Sequence, residues 1–309
     1  KLEAEQCGYP PDPPRVSALA HGFQYLTENR GDEIDDILQY LSQTLERIGV
    51  PVRSMEDEWG PGQVEITFDP RPGLEAADAL LLFRTAVKQI CRRRGLHATF
   101  MARPGLPNFF SSGWHLHQSL NEVGQDRNAF TRYGEGEGPI SAVARSFAAG
   151  ILQYADASAV FTNPTVTGYK RFQPNSFAPT KATWAYENRG AMIRVIGAPE
   201  DSGTHIENRI GEPAANPYLY MGSQVAAGLA GIERKLDPGP FDESPYESDK
   251  PNVPASLIDA VNALERDDLY RERFGSGFVD YMVAMKRSEW SRFLSHVTDW
   301  EHREYFEVF

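Results

Sequence analysis

The apolar positions of the chain recur with two periods, every three to four residues in some segments and every second residue in others. The longer period is typical of helices that bury one face, and it predicts helices over residues 32–49, 75–94, 141–160 and 217–235, with more helix from Leu257 onwards. The shorter period is typical of strands with one polar face, and it predicts strands over residues 64–68, 98–101, 114–117 and 204–210. No repeat or linker divides these elements, so we expect one domain over residues 1–309.

The predicted strands carry imidazole and acidic side chains on their polar faces. His115 and His117 flank a single leucine and therefore share one strand face. By the same alternation Glu207 shares a face with His205 and Arg209. Taken alone, His-x-His is more often part of a half-buried strand with two hydrogen-bonded histidines than a pair of ligands. Other residues of the chain are needed to distinguish these interpretations.

Two further carboxylates, Glu58 and Glu65, flank a Gly-Pro-Gly turn, and we expect them to converge at one end of a hairpin. Carboxylates together with an imidazole are ligands suited to Mg²⁺ or Mn²⁺. Guanidinium groups, which bind phosphate or carboxylate through two donors, recur in the same part of the chain: Arg171, Arg189, Arg194 and Arg209. The combination indicates phosphoryl transfer, while a solvated acid pair and surface ion pairs remain alternatives.

Composition and charge narrow the classes of partner. The chain of 309 residues is 41% hydrophobic, enough for a sizeable core. Its formal net charge of −12 argues against nucleic acid or an anionic membrane as the main partner. The only cysteines, Cys7 and Cys91, form no disulfide framework or cysteine metal site, and no apolar run is long enough to cross a bilayer. A cytoplasmic location is therefore expected.

The motifs, taken in order, resemble the catalytic domain of the glutamine synthetase family. The resemblance covers residues 30–309 and rests on the turn from Glu58 to Glu65, residues 98–101, residues 113–120, Asn163–Thr165 with Tyr169–Arg171, Asn188–Arg194, and Glu207 through Leu219. It implies an α+β fold with a curved, mostly antiparallel sheet, a polar concave face and flanking helices. It also implies a homo-oligomer of stacked rings with active sites shared between subunits.

The resemblance implies a two-step reaction and a role for each matching residue. ATP phosphorylates the side-chain carboxylate of glutamate, and a nitrogen nucleophile then displaces phosphate to leave an amide. The implied ligands of Mg²⁺ or Mn²⁺ are Glu58, Glu65, His115 and Glu207. The implied substrate contacts are Arg171, Arg209, Gly113 and Phe177; the catalytic arginines at the phosphates are Arg189 and Arg194; the nucleotide contacts are His117, Ser119 and Arg189.

The chain departs from the family pattern in three places, which involve four residues. Phe177 stands where the family has a flap glutamate that binds and deprotonates ammonium. Phe110 and Ser111 replace an Asn-Gly pair that touches glutamate, and His205 replaces an arginine. A phenyl ring accepts no proton, so we expect an organic alkyl or aryl amine as acceptor. A weakly basic amine needs little help in losing a proton near pH 7.

The family also has a small N-terminal β-grasp domain and a strand with a Glu-x-Glu metal motif, and neither precedes Lys1. We therefore expect the chain to be part of a longer protein, with an incomplete metal site and no activity of its own. Three alternatives remain open: an ordinary glutamate–ammonia ligase, a non-catalytic structural relative, and a carboxylate–histidine metallohydrolase.

Overall fold

The computed structural model describes residues 13–25, 27–135 and 138–309. Cys7 and the residues around Lys1 lie outside these ranges. The chain divides into two compact units, the first made of residues 1–100 with 104–110 and the second of residues 101–103 with 111–309. The prediction that both belong to one catalytic domain stays a prediction.

The described part of the first unit contains three helices and a hairpin. Its elements are α1 (Glu28–Gly31), α2 (Asp35–Arg47), β1 (Val52–Asp57), β2 (Val64–Phe68) and α3 (Leu74–Arg93). The predicted apolar stripe of α2 is buried at Ile37, Leu41 and Leu45, where it joins a core that includes Phe83 of α3. β1 and β2 pair antiparallel around the Gly-Pro-Gly turn.

The strand predicted over residues 98–101 is wrong, because these residues form no strand. Their apolar pattern serves packing instead: Ala98 and Phe100 lie against the core of the first unit. A short alternation cannot distinguish this arrangement from pairing in a sheet.

The second unit combines a four-stranded sheet with helices. Its elements are β3 (Leu116–Gln118), α4 (Ala142–Gln153), α5 (Ala155–Thr162), a 3₁₀ turn (Gly168–Arg171), β4 (Trp184–Tyr186), β5 (Ile193–Ile196), β6 (His205–Asn208), α6 (Pro217–Glu233), α7 (Leu257–Arg266), α8 (Asp268–Phe274), α9 (Ser276–Leu294) and α10 (Asp299–Tyr305). The strand order is β3-β6-β5-β4. Among the strands that the structure describes in this sheet, only β4 and β5 pair in parallel, so the predicted α+β class with mostly antiparallel pairing is confirmed. The helix predicted over residues 141–160 is interrupted at Tyr154, whose backbone is not helical.

Helices α4 and α6 cross at two glycines. A Cβ atom on Gly150 would lie 2.1 Å from the carbonyl oxygen of Ala227, and one on Gly231 would lie 2.1 Å from that of Ser146. The two backbones therefore touch, and no side chain fits between them. Helix α6 begins as predicted at Asn216, whose side chain accepts hydrogen bonds from the backbone of Tyr218 and Leu219. No helix among the described residues is long and apolar enough to cross a membrane.

Candidate active site

The register of the second unit's sheet centres the site on Glu207. β6 pairs with β3 on one side and β5 on the other, so Glu207 lies directly opposite both His117 and Arg194. Paired residues of antiparallel strands project to the same face. The predicted common face of Glu207 and Arg209 is confirmed by 2.5 Å between Oε1 of Glu207 and Nη1 of Arg209. His205 lies on this face too, with Nε2 3.0 Å from Nδ1 of His117.

Glu207 is a buried carboxylate surrounded by positive and imidazole groups. It is only 2% exposed. Nδ1 of His115 lies 3.1 Å from Oε1, and Nη1 of Arg194 lies 3.2 Å from Oε2. Burial alone would raise the pKa of Glu207, but the hydrogen bond to His115 and the charge of Arg209 outweigh it and hold the pKa well below its usual range. The carboxylate is therefore ionised at neutral pH.

His115 carries no charge at neutral pH. Burial lowers its pKa to about 4, although the hydrogen bond to Glu207 acts in the opposite direction. A neutral imidazole keeps one nitrogen lone pair, which is the form that binds a metal ion. Nε2 of His115 lies beside Gly113, where a Cβ would come within 3.0 Å of it. Because residue 113 is a glycine, it has no side chain that would crowd Nε2 of His115.

Arg209 joins three segments of the second unit. Its guanidinium donates to Glu207, to the carbonyl of Arg189 at 2.9 Å and to the carbonyl of Phe177 at 3.3 Å. Phe177 has a φ of 57°, which is rare for a residue with a side chain, and its side chain is 62% exposed. The backbone of the predicted flap is therefore tied to the site, while the phenyl ring lies in the open.

Arg171 occupies a different environment from that expected of a substrate contact. It is 4% exposed, and its guanidinium donates to the carbonyls of Arg209 at 2.5 Å and Ile210 at 2.7 Å. Burial lowers its pKa to about 10, so it remains a cation. Its role in binding glutamate or phosphate stays a prediction, and in this structure the same donors clamp the backbone that follows β6.

The remaining predicted residues of the second unit are exposed or partly exposed. Arg194 bridges the carboxylates of Glu207 and Glu187. Gly113, His117, Ser119 and Arg189 are all exposed. His117 lies with Nε2 3.8 Å from Glu207, and Ser119 follows β3 directly. Arginine and imidazole groups thus surround one buried anion on an accessible face.

Glu58 and Glu65 belong to the hairpin of the first unit. Glu58 follows β1, and its N–H donates to the carbonyl of Gln63 at 2.9 Å, which extends the pairing by one step. Glu65 lies opposite Glu56 in the ladder. Because alternate residues share a face, Glu58 and Glu65 lie on the same face of the hairpin. Their convergence with His115 and Glu207 stays a prediction.

The donor set of the second unit suits a divalent cation. An ionised carboxylate and a neutral imidazole, Glu207 and His115, lie side by side, and this combination binds Mg²⁺ or Mn²⁺. Across the part of the chain that the structure describes, no three His, Cys, Asp or Glu side chains are gathered closely enough to hold an ion. In this conformation Arg194 and Arg209 neutralise Glu207, so a cation would compete with them for its oxygens.

Two supporting residues escaped the sequence analysis. Glu212 is fully buried and accepts hydrogen bonds from the backbone and the hydroxyl of Thr165, each at 2.8 Å. Tyr246 donates to the carbonyl of Ala178, beside Phe177. No period or spacing signals either residue, although the Asn163–Thr165 motif marks the loop that Glu212 holds.

The chain is similar in sequence to proteins of named activity. The chain is 46% identical to the gamma-glutamylanilide synthase of Acinetobacter sp, over 99% of this chain and 64% of that protein. It is 36% identical to the glutamine synthetase of Methanocaldococcus jannaschii, over 89% of this chain and 62% of that protein. The chain thus spans less than two thirds of the length of these relatives.

Solved structures agree with this likeness. The structure described as "Apo GmaS without ligand" matches with a TM-score of 0.84 and 29% identity, over 94% of this chain and 67% of that one. The structure described as "GmaS/ADP complex-Conformation 1" matches with a TM-score of 0.83 and 27% identity, over 99% of this chain and 70% of that one. Residues 1–305 match the model of the glutamine synthetase catalytic domain, and the chain therefore belongs to the glutamine synthetase family.

Proposed function

We propose that the chain is the catalytic part of an ATP-dependent ligase that joins glutamate to an organic amine as a γ-glutamylamide. The observation that carries the proposal is the buried, ionised Glu207 in contact with neutral His115 and with Arg194 and Arg209. Positive groups around a buried acid suit a reaction that gathers negative charge from ATP and glutamate. The 46% identity to a gamma-glutamylanilide synthase supports the choice of amine.

In the first proposed step, a side-chain carboxylate oxygen of glutamate attacks the γ-phosphorus of ATP, and the bond from that phosphorus to the bridging oxygen of ADP breaks. Arg189 and Arg194 bind the phosphate oxygens and spread the developing charge. His117 and Ser119 contact the nucleotide. Both are exposed; His117 lies in β3 beside Glu207, and Ser119 directly follows β3. Arg171 and Arg209, together with Gly113, orient glutamate. The product is γ-glutamyl phosphate, whose phosphate is a leaving group that the free carboxylate lacked.

In the second step, the amine nitrogen attacks the acyl carbon and the carbon–oxygen bond to phosphate breaks. The nitrogen loses its proton to solvent or to the departing phosphate. Phe177 offers no carboxylate to hold ammonium, and this favours an amine that is already neutral. Mg²⁺ or Mn²⁺, when bound, neutralises phosphate charge; Glu207 and His115, with Glu58 and Glu65, are its proposed ligands.

The amine preference is tested by ADP release. Full-length protein with glutamate and ATP is assayed against ammonia and a panel of alkyl and aryl amines, and we expect an organic amine to be the best acceptor. If ammonia is turned over far better than every organic amine, the alternative of an ordinary glutamate–ammonia ligase replaces the proposal.

The variant Phe177→Glu tests the same point from the side of the enzyme. It should raise the use of ammonia relative to the organic amine, because it restores an acid at the flap. The matched variant Phe177→Gln is polar but has no charge, and it should leave the preference unchanged. Assembly into stacked rings is proposed with the activity, and light scattering on the full-length protein tests it. A cytoplasmic location also stays a prediction.

A further inference from the structure

Tyr246 contacts two parts of the candidate active site that are distant from it in sequence. Its hydroxyl donates to the carbonyl of Ala178 at 3.2 Å, and Ala178 belongs to residues 174–179, which we call the flap. The edge of its ring lies against Gly190, where a Cβ would come within 3.0 Å of Cε2 of the ring. Gly190 directly follows Arg189, a proposed phosphate contact. One side chain thus joins the flap to the turn that carries Arg189.

The Arg189 turn is also bound by the segment that carries Tyr246. Oδ1 of Asn188 accepts the N–H of Gly190 at 2.9 Å and closes the turn. Nδ2 of Asn188 donates to the carbonyl of Glu243 at 3.1 Å. The backbone on either side of Arg189 is therefore fixed, although the side chain of Arg189 is exposed.

Residues 241–250 form a support that is itself attached to β4. The N–H of Asp242 donates to the carbonyl of Trp184 at 2.8 Å. Ser248 donates its hydroxyl to the carboxylate of Asp242, and its carbonyl accepts from Lys181. Because β4 belongs to the four-stranded sheet of the second unit, this support holds Tyr246 in a fixed position relative to the strands of the site.

The flap benefits from an anchor because its backbone is strained. Asn175 has a φ of 59° and Phe177 a φ of 57°, and residues with side chains adopt this region at a cost. Such conformations persist where neighbouring groups hold them. Ala178 is only 3% exposed. The flap is therefore anchored at its buried end, next to Tyr246, and open at Phe177.

Arg209 binds the flap as well, but its donors are shared with the site. Its guanidinium donates to the carbonyl of Phe177 at 3.3 Å and also contacts the carboxylate of Glu207. Under the proposed function Arg209 binds glutamate, and a donor that turns to a substrate is lost to the flap. The hydroxyl of Tyr246 belongs to no proposed substrate contact, so its hydrogen bond to the flap persists when Arg209 changes partner.

We propose that Tyr246 is a positioning residue for the acceptor amine, because it anchors the flap at Ala178 and holds the Arg189 turn in register with it. This inference rests on the proposed function, which assigns the flap to the acceptor. The hydroxyl acts on the flap, and the ring acts on the turn of Arg189. Removal of the hydroxyl alone should therefore affect the amine, and removal of the ring should also affect phosphoryl transfer.

Two variants of the full-length protein separate the hydroxyl from the ring. Tyr246→Phe loses the hydrogen bond to Ala178 but keeps the ring against Gly190, so the KM for aniline should rise about fivefold, the effect of one hydrogen bond. Its kcat and its KM values for glutamate and ATP should stay within about twofold of the wild type. Tyr246→Ala also leaves space beside Gly190, and it should in addition lower kcat about tenfold, because Arg189 is then less well positioned.

The matched control is Tyr270→Phe in α8. The hydroxyl of Tyr270 donates to the carbonyl of Ser223 at 3.2 Å, so this variant loses the same kind of hydrogen bond outside the flap, and it should change no KM. Hydrogen–deuterium exchange without substrates adds a readout that is independent of activity. Exchange over residues 174–179 should be about threefold faster in Tyr246→Phe than in the wild type, and unchanged in Tyr270→Phe.

The possible failures are distinguishable. If Tyr246→Phe leaves either the exchange of the flap or the KM for aniline unchanged, the inference is wrong and the proposed function stands. If it raises the KM values for aniline, glutamate and ATP equally, Tyr246 is a structural brace, and the inference is again wrong. If the wild-type protein accepts only ammonia, the proposed function fails, and the same comparison with the KM for ammonia decides the inference. If the wild-type protein joins no amine to glutamate, both fail.

Discussion

Glu212 provides the sharpest test of the energetics in the second unit. Its carboxylate is completely buried, and it holds the loop at Thr165 through two hydrogen bonds. Burial raises the pKa of Glu212 from 4.5 to about 7, although the hydrogen bonds from Thr165 and the positive charges of Arg171 and Lys286 act in the opposite direction. The folded protein therefore keeps a proton that the unfolded chain has already lost.

The sign and the size of the effect follow from this difference. A raised acid pKa contributes stability that is fully present below pH 4.5, the unfolded value, and is lost as the pH rises through about 7. Each pKa unit corresponds to about 1.4 kcal/mol. The ionisation of Glu212 should therefore lower the free energy of unfolding by about 3 kcal/mol between pH 4.5 and pH 8. The glutamine of Glu212→Gln has no proton to lose, and the variant should lack this component.

Glutamine suits the site for a structural reason. The amide has almost the same volume, its oxygen accepts from the N–H of Thr165, and its NH₂ group donates to the Thr165 hydroxyl. That hydroxyl can then donate to the hydroxyl of Thr167, which lies 3.1 Å away. The loop therefore keeps its hydrogen bonds without a buried charge.

Guanidinium denaturation of both full-length proteins, at equal protein concentration from pH 4.5 to pH 8, measures the effect. Other titrating groups cancel in the difference between the two free energies of unfolding. We expect the wild type to lose about 3 kcal/mol relative to Glu212→Gln over this range. A difference that stays constant within about 1 kcal/mol would refute the assignment of a raised pKa to Glu212.

Three further predictions concern packing, capping and metal binding. Gly231→Ala should destabilise the protein by about 3 kcal/mol or more, because the new Cβ would meet the backbone of α4. In the matched variant Gly277→Ala the new Cβ meets nothing within 4 Å. This variant of α9 should stabilise the protein by up to about 1 kcal/mol in the same denaturation assay. Asn216→Ala should cost about 1 kcal/mol through loss of the cap of α6, and an unchanged denaturation midpoint would contradict this. Glu207→Gln should weaken Mn²⁺ binding to the full-length protein at least about tenfold, as measured by calorimetry. The control Glu187→Gln removes only the exposed partner of Arg194 and should leave Mn²⁺ affinity unchanged. Equal affinity in both variants would exclude Glu207 as a ligand.

Local periodicity was sufficient to predict the part of the site that lies on strands. Alternation placed His205, Glu207 and Arg209 on one face, and the contacts of Glu207 and the His117–His205 pair confirm it. The helix start at Asn216 was predictable for a similar reason, because the cap depends on neighbours in sequence. Both properties are local, and local properties are what a single sequence encodes most directly.

The environment of Arg171 could not be read from the sequence. Its guanidinium reaches carbonyls 38 and 39 residues away, and no spacing distinguishes an arginine that clamps backbone from one that faces substrate. The same holds for Glu212, which contacts a threonine 47 residues away. The failed strand over residues 98–101 has a related cause, since packing against a core and pairing in a sheet leave the same short pattern.

The crossing of α4 and α6 restricts how the second unit can move. The two main chains touch at Gly150 and Gly231. If either helix slid by one residue, a side chain would have to enter the contact, where there is no room for one. The pair must therefore travel as one rigid body. Any rearrangement during the proposed reaction has to occur in other segments of the second unit, and we expect it in the exposed turn around Phe177.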